Sequence, residues 1–356
     1  MQARHFDSIP MIDVSALGGG DEAARHRVAV ELDRAARTSG FLYIRGHGLP
    51  PELIAGVESA AASFFALPDA IKRRYYIGLF KNHRGYVPPG EEVFYGQTQS
   101  RDSKEAFDLC FELPDDDPDY VAGNRLLGPN VWPSELPDFR RAVSTYYQSV
   151  FALGRRLLQG FSLALGLPVS HFDALVQKPP SQLRLVHYPA SAATAAPGAM
   201  GISSHTDYEV FTILHTTRPG LEVVNADGRW IDAPPIPGAF VVNLGDMMEV
   251  LTNGRWVSTA HRVRRVTEER FSFPLFFSLD YHAVVEPIPS LLAEGEVPRY
   301  ERLVAGEHLL AQTAQSFGYF RRLIESGEFR LADGARGLSS FGRDRADAPA
   351  EDGSSR

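Results

Sequence analysis

The chain has 356 residues, 44% of them hydrophobic, with a formal net charge of −8 and a single cysteine, Cys110. That length buries a substantial core, as one large domain or one domain with a helical annex, and the acidic balance disfavours electrostatic binding to nucleic acid or an anionic membrane. One cysteine allows no internal disulfide, and no run approaches the ~18 uninterrupted apolar residues of a membrane span, so a reducing, cytoplasmic compartment is expected.

Residues 9–17, IPMIDVSAL, read as an opening strand, after a start, MQARHFDSIP, that lacks the apolar core of a signal peptide. From residue 21 to 39 the period turns helical, with Val28, Leu32 and Ala35 on one face and Gly40 as the stop. FLYIRGHGLP reads as a strand, and PELIAGVESAAASFFALP as a second helix halted before Pro68. Residues 78–135 are rich in Gly, Pro and charge and read as long loops with one or two strands. Cys110, inside AFDLCFEL, reads as a packed apolar residue. A long amphipathic helix is expected over 137–165, closed by Gly166.

After Gln182 the texture becomes β: LRLVHYPA, SSHTDYEVFTILHTT, GLEVVNADGRWIDAP, GAFVVNLGD, STAHRVRRV and RFSFPLFFSLDYHAVVEP. Asp227-Gly228 and Asn253-Gly254 read as hairpin turns. Many short strands at this spacing indicate a sandwich or barrel. Residues 300–325 return to a helical pattern, and Met247 and Met248 read as core.

Two patterns in the β region carry chemistry. In SSHTDYEVFTIL, His205 and Asp207 stand two apart in an alternating run, which on a strand places both side chains on one face. Alone the pair is a weak signal, since a His and an Asp on one exposed strand face are common. His261, in STAHRV, adds a second imidazole from another expected strand. Two imidazoles and one carboxylate can cap one face of a metal ion, as in non-haem Fe(II) oxygenases, leaving positions open for dioxygen and a chelating acid. A zinc hydrolase uses the same ligand types.

The second pattern is Arg270 and Ser272 in ERFSFPLFF. On a strand they share a face, and a guanidinium beside a hydroxyl suits a carboxylate. An arginine in so apolar a run needs a buried anion. Tyr188, in LRLVHYP, can add a third hydrogen bond. His47, His83, His187 and His215 are surplus to this scheme, and His215 reads as packing or as support behind the ligands.

Taken in order, IPMID, GFLYIRGHG, FFALP, Gly85-Tyr86, NVWP (130–133), HTDY (205–208), PGAFVVNLGD (237–246), TNGRWVSTAHRV (252–263) and RFS (270–272) resemble the isopenicillin N synthase-like group of 2-oxoglutarate/Fe(II)-dependent dioxygenases. The resemblance covers roughly residues 9–325. It implies a mainly β fold with flanking helices and a double-stranded β-helix, or jelly-roll, core. It implies Fe(II) on His205, Asp207 and His261, and 2-oxoglutarate with its distal carboxylate on Arg270 and Ser272 beside Tyr188. Dioxygen is the implied oxidant, and the implied reaction hydroxylates or desaturates an unactivated C–H bond of a small metabolite while 2-oxoglutarate becomes succinate. Isopenicillin N synthase and aminocyclopropane-carboxylate (ACC) oxidase share the triad and R-x-S without using 2-oxoglutarate, and that oxidase class is the alternative. A jelly-roll binding module that has lost its metal is another.

Plant members often carry Asn two residues before the tyrosine, where this chain has Val186. Arg184, four residues before Tyr188 and on its face, is expected to hold the iron-proximal carboxylate of 2-oxoglutarate, or else to pair with an acid. Substrate contacts are expected from Tyr208, Phe273 and Phe277, from Glu91, Glu92 and Arg101 in the candidate lid 90–108, and from Tyr319 with Phe320. The charged lid residues suit an amino acid or a natural-product intermediate. Four segments are expected: a helical and strand region at 1–180 packing on the core, the jelly-roll core at 181–290, a helical segment at 291–331, and a disordered polar tail at 332–356.

Overall fold

The alternating runs after residue 182 pair into two sheets that share one cavity. The computed structural model describes residues 5–19, 21–93, 104–190 and 200–332. Its strands are β1 (Met11–Asp13), β2 (Phe41–Arg45), β3 (Gly85–Val87), β4 (Glu105–Cys110), β5 (Gln182–Tyr188), β6 (Ile202–His205) and β7 (Phe211–Thr216). They continue with β8 (Leu221–Val224), β9 (Trp230–Asp232), β10 (Phe240–Leu244), β11 (His261–Val263), β12 (Arg270–Phe277), β13 (Val284–Val285) and β14 (Leu303–Val304). The α-helices are α1 (Glu22–Thr38), α2 (Pro51–Phe65), α3 (Asp69–Lys72), α4 (Pro118–Val121), α5 (Phe139–Ala164), α6 (Asp246–Leu251), α7 (Ala305–Ser316) and α8 (Gly318–Glu325).

The major sheet runs β1-β2-β10-β7-β12-β5-β4-β3 and the minor sheet β6-β11-β8-β9. Inward residues of both line a cavity of about 120 Å³. This is the jelly-roll core that the family resemblance implies, and it agrees with the sandwich or barrel read from the strand pattern. The other face of the major sheet is covered by α5, whose buried stripe Val143, Tyr146, Val150, Leu153, Leu157 and Phe161 follows the helical period. Phe277 stacks between Phe211 and Phe151, with ring centroids 4.8 and 5.2 Å away. Gly154 permits that approach, since a Cβ there would lie 2.4 Å from the Phe277 ring. The expected first and long helices form as α1 and α5, each followed by a positive-φ glycine, Gly40 and Gly166.

Four expectations change. First, residues before 181 do more than pack on the core: β1 to β4 are four of the eight strands of the major sheet. The pairing of β2 with β10 and of β4 with β5 makes one continuous hydrogen-bonded surface.

Second, the run 203–214 is not one strand. β6 stops at His205 and β7 starts at Phe211. The intervening backbone turns because its carbonyls serve the N-terminus of α6: Asp246 N–H donates to Asp207 at 2.8 Å, Met247 to Glu209 at 3.1 Å, and Gly245 to Val210 at 2.9 Å. These N–H groups have no partner within their own helix.

Third, Asn253-Gly254 does not close a hairpin. It follows α6, with Asn253 in the left-handed region at φ 51°. Asp227-Gly228 does turn β8 into β9. Fourth, the helical run 300–325 breaks at Phe317 into α7 and α8. Val93 N–H to Ser316 at 2.9 Å and Gly318 N–H to Glu91 at 2.8 Å hold the break against the segment before the candidate lid. Most of that lid (94–103) and the tail from 333 lie outside the described residues.

Candidate active site

His205 ends β6, His261 begins β11, and the two are register partners across that strand pair. Asp207 sits two residues beyond the end of β6, in the turn held by α6. One ring nitrogen of each histidine and one oxygen of Asp207 lie within 4.8 Å of one another. Each Nε2 is 3.6 Å from Asp207 Oδ1. His205 Nδ1 donates to the Ser203 carbonyl at 2.8 Å, and His261 Nδ1 to that of Thr259 at 3.2 Å. This hydrogen-bond pattern assigns the proton to Nδ1 and frees the Nε2 lone pair for a metal. Asp207 is divided the same way. Its Oδ2 accepts from Thr212 Oγ1 at 2.5 Å and Asn243 Nδ2 at 2.7 Å, which leaves Oδ1 facing the imidazoles.

The electrostatics agree with this assignment. Burial works to raise the Asp207 pKa, but the imidazoles of His261 and His205 and the bonds from Asn243 and Thr212 hold it below the usual carboxylate value. Burial, helped by His261, pushes His205 down to about 4, so it is a neutral ligand at pH 7. Two imidazole nitrogens and one carboxylate oxygen form the donor set of non-haem Fe(II) centres, and these residues fit an iron ion.

Arg270 lies at one end of the cavity and is fully buried. Its Nε donates to the Arg218 carbonyl at 3.0 Å, while Nη1 and Nη2 have no hydrogen-bond partner among the described residues. Burial lowers its pKa. The guanidinium carbon is 4.7 Å from the centre of the Tyr188 ring, and Ser272 follows on the same cavity face. A buried guanidinium with its outer nitrogens unpaired is a receptor for a carboxylate. Arg270, Ser272 and Tyr188 are thus brought together as expected.

Arg184 is a correction. It does line the cavity, but the acid-pairing alternative holds. Its Nε and Nη2 donate to the two oxygens of Asp108, each at 2.8 Å, and Nη1 reaches both oxygens of Glu92 at 3.1 and 3.0 Å. Lys104 also pairs with Glu92. A guanidinium neutralised by two carboxylates is a poor holder of a third. Glu92 works against burial, and Arg184 and Lys104 pull its pKa down to about 2.

The expected substrate contacts divide. Tyr208 and Glu92 line the cavity. Glu91 does not: its Oε1 accepts the Tyr319 N–H at 2.6 Å, at the first turn of α8. Tyr319 is also turned away, its hydroxyl bonded to His83 Nδ1 at 2.8 Å, and with Phe320 it packs in a separate apolar cluster. Phe317, two residues earlier, takes the cavity position. Phe273 and Phe277 point into the helix-covered core, Phe273 stacking on His215 at 5.7 Å. Arg101 lies outside the described residues.

Strand parity held the signal for that miss. If Arg270 and Ser272 face the cavity, Pro274 and Phe276 do as well, and the odd-numbered residues cannot. The same rule along β5 adds Gln182 to Arg184, Val186 and Tyr188. Asn243, a lone amide in the apolar strand FVVNL, needed a buried partner, and Asp207 is that partner. Glu209 also lines the cavity, and no sequence signal marked it.

Comparison with known proteins agrees with this geometry. Residues 9–135 match the family model described as non-haem dioxygenase in morphine synthesis N-terminal, and residues 179–279 match the 2OG-Fe(II) oxygenase superfamily. The 2-oxoglutarate-Fe(II) type oxidoreductase hxnY of Emericella nidulans is 33% identical over 337 residues, covering 92% of this chain and 96% of its own. Homoarginine-6-hydroxylase 2-ODD-233 of Oryza sativa subsp. japonica is 34% identical over 329 residues, covering 88% and 98%. The crystal structure of a full-length Neurospora crassa protein in complex with alpha-KG and thymine superposes with a TM-score of 0.74 at 27% identity, covering 89% of this chain and 97% of that one.

Proposed function

Because this chain belongs to the 2-oxoglutarate/Fe(II)-dependent dioxygenases, we propose that it oxidises a small polar metabolite, an amino acid or a natural-product intermediate, at an unactivated C–H bond. The enzyme class and its cofactors, Fe(II), 2-oxoglutarate and dioxygen, follow from the family. The observation that carries the reading is the Arg270 guanidinium, buried with both outer nitrogens unpaired among the described residues, in the cavity that holds the triad.

His205, Asp207 and His261 would hold the iron, with Thr212 and Asn243 turning Asp207 Oδ1 toward it. Arg270 and Ser272, beside Tyr188, would hold the distal carboxylate of 2-oxoglutarate. Bound iron and 2-oxoglutarate supply the oxidising chemistry, coupling the conversion of 2-oxoglutarate and dioxygen to succinate and carbon dioxide with oxidation of the substrate. Val186, Leu214, Leu221 and Val263 keep that end of the cavity apolar and exclude water. No side-chain general acid or base is called for.

A polar substrate is supported by the opposite end of the cavity, where Gln182, Glu209, Glu92 and Arg184 gather. It is supported also by the relatives, one named for homoarginine and one holding thymine. The oxidase class without 2-oxoglutarate is not favoured, since the relatives above are 2-oxoglutarate enzymes by name or hold alpha-KG in the crystal. A reducing compartment is part of the proposal, supported by Cys110 being a lone, buried thiol.

The test is an anaerobic titration. Fe(II) followed by 2-oxoglutarate is expected to produce a weak visible charge-transfer band that needs both, and candidate substrates are then screened by succinate release in air. Iron binding without the band would overturn the assignment of Arg270 as the 2-oxoglutarate receptor.

A further inference from the structure

The register of the major sheet sets four residues in one row. Asn243 pairs with Thr212, Thr212 with Phe276, and Phe276 with Gln182. Register partners point to the same face of a sheet, and all four line the cavity. Asn243 and Thr212 hold Asp207 Oδ2. Gln182 stands two strands beyond Thr212, roughly 10 Å away at the usual strand spacing. A second row, Thr216, Ser272 and Val186, belongs to the 2-oxoglutarate end. It lies four residues along β12 from the first row, about 13 Å, and Arg270 is two residues further still. Gln182 is therefore level with the groups that hold Asp207 and remote from Arg270, with Phe276 as an apolar floor between it and Thr212.

The Gln182 side chain is incomplete there. Its Nε2 is buried and has no hydrogen-bond partner among the described residues. An amide N–H left unpaired in a buried place is costly, and a bound acceptor removes that cost. The charges nearby are already matched. Arg184, next on the same face of β5, is held by Asp108 and Glu92, and Glu92 also pairs with Lys104. Two cations and two carboxylates cancel, so no cation is spare for an anionic ligand. Glu209, also on the cavity wall, supplies none in either protonation state.

We propose that Gln182 is a specificity-determining residue of this enzyme, and that it selects substrates carrying an uncharged hydrogen-bond acceptor, such as the carbonyl oxygen of an amide, a lactone or a ketone. The substrate lies over Phe276, with the carbon to be oxidised toward Asp207 and the acceptor toward Gln182. The proposal rests on the reading that the triad holds iron and the Arg270 end holds 2-oxoglutarate. Other edges fit less well. A hydrocarbon leaves the Gln182 N–H orphaned. An ammonium brings a donor to a donor. A carboxylate accepts from Gln182 but is buried without a counter-charge.

The test uses the full chain loaded with Fe(II) and 2-oxoglutarate without oxygen, and reads the perturbation of the charge-transfer band by three probes of similar size. N-Methyl-2-piperidone is an uncharged acceptor without an N–H, cyclohexanecarboxylate an anionic acceptor, and piperidine a cationic donor. N-Methyl-2-piperidone is expected to perturb the band at a concentration at least ~10-fold lower than either of the others. Gln182→Met keeps the side chain's length and removes the amide. It is expected to weaken N-methyl-2-piperidone ~10-fold while changing the other two probes less than about threefold. The 2-oxoglutarate titration of the same variant is expected to stay within about threefold of the wild type, since Arg270 is remote. Equal or tighter binding of either charged probe, or no perturbation by N-methyl-2-piperidone in a wild type that shows the band, would overturn the proposal without any variant. An unchanged response to N-methyl-2-piperidone in loaded Gln182→Met would overturn it too. A wild type without the band would instead overturn the assignment of 2-oxoglutarate to the Arg270 end, and the proposal with it.

Discussion

His205 and His261 face each other across β6 and β11 with ring centroids 4.4 Å apart, and each presents Nε2 to the same oxygen of Asp207. Neither histidine is near the other in sequence, and the aspartate that joins them is on no strand. The centre therefore depends on how well the turn after His205 is held.

Asn243 and Thr212 do part of that work by occupying Asp207 Oδ2. Asn243→Ala is expected to weaken Fe(II) binding by about 10- to 100-fold, the usual effect of removing a group that orients a ligand. An anaerobic Fe(II) titration reads this directly, and an unchanged affinity would show that Asp207 needs no such support.

Gly245 does the rest by close approach. A Cβ at that position would lie 2.2 Å from the Glu209 carbonyl oxygen and 3.2 Å from that of Asp207. Gly245→Ala is expected to push the 207–210 turn away from α6, costing about 1–3 kcal/mol of stability and reducing iron affinity in the same variant. Thermal unfolding and metal titration check the two effects together.

Arg270→Met is expected to raise the dissociation constant for 2-oxoglutarate by ~30-fold or more, from the loss of about 2–5 kcal/mol when one side of a buried charged contact is removed. Arg270→Lys keeps the charge but not the planar fork and falls between. The charge-transfer band titrated with 2-oxoglutarate gives both constants.

The Arg184–Glu92 pair makes stability depend on pH. Burial opposes ionisation of Glu92, yet Arg184 and Lys104 hold its pKa at about 2, below the ordinary 4.5. A depressed carboxylate stabilises the fold fully above 4.5, and that contribution is lost as the pH falls from 4.5 toward 2. The difference corresponds to about 3 kcal/mol. Urea unfolding of the wild type and of Glu92→Gln between pH 5 and 2.5 is expected to show a steeper loss in the wild type. Parallel curves would deny the pair this role.

Much of the site could be read from residue types and spacing. His205, Asp207, His261, Arg270 and Ser272 announced themselves because metal and carboxylate chemistry admits few residue types, and an arginine inside RFSFPLFF has no cheap apolar explanation. The long helices and the strand parity of β5 and β12 were equally local, since a period of 3.6 or 2 is written in neighbouring residues. Phe273 and Phe277 were misplaced although parity could have corrected them.

Other features depended on contacts between distant segments, which no local pattern records. The break after His205 exists because α6 needs carbonyls for its first N–H groups, and those come from residues 207–210, about 40 positions earlier in the chain. Arg184 turned from a 2-oxoglutarate ligand into the partner of Asp108 and Glu92 because β4 pairs with β5 and sets Asp108 directly beside it. Glu91 and Tyr319 left the site because the break at Phe317 is pinned to residues 91–93. Side-chain chemistry is a property of the residue and survives in the sequence. Which acid meets which base is a property of strand register and chain crossing, and only the folded chain sets it.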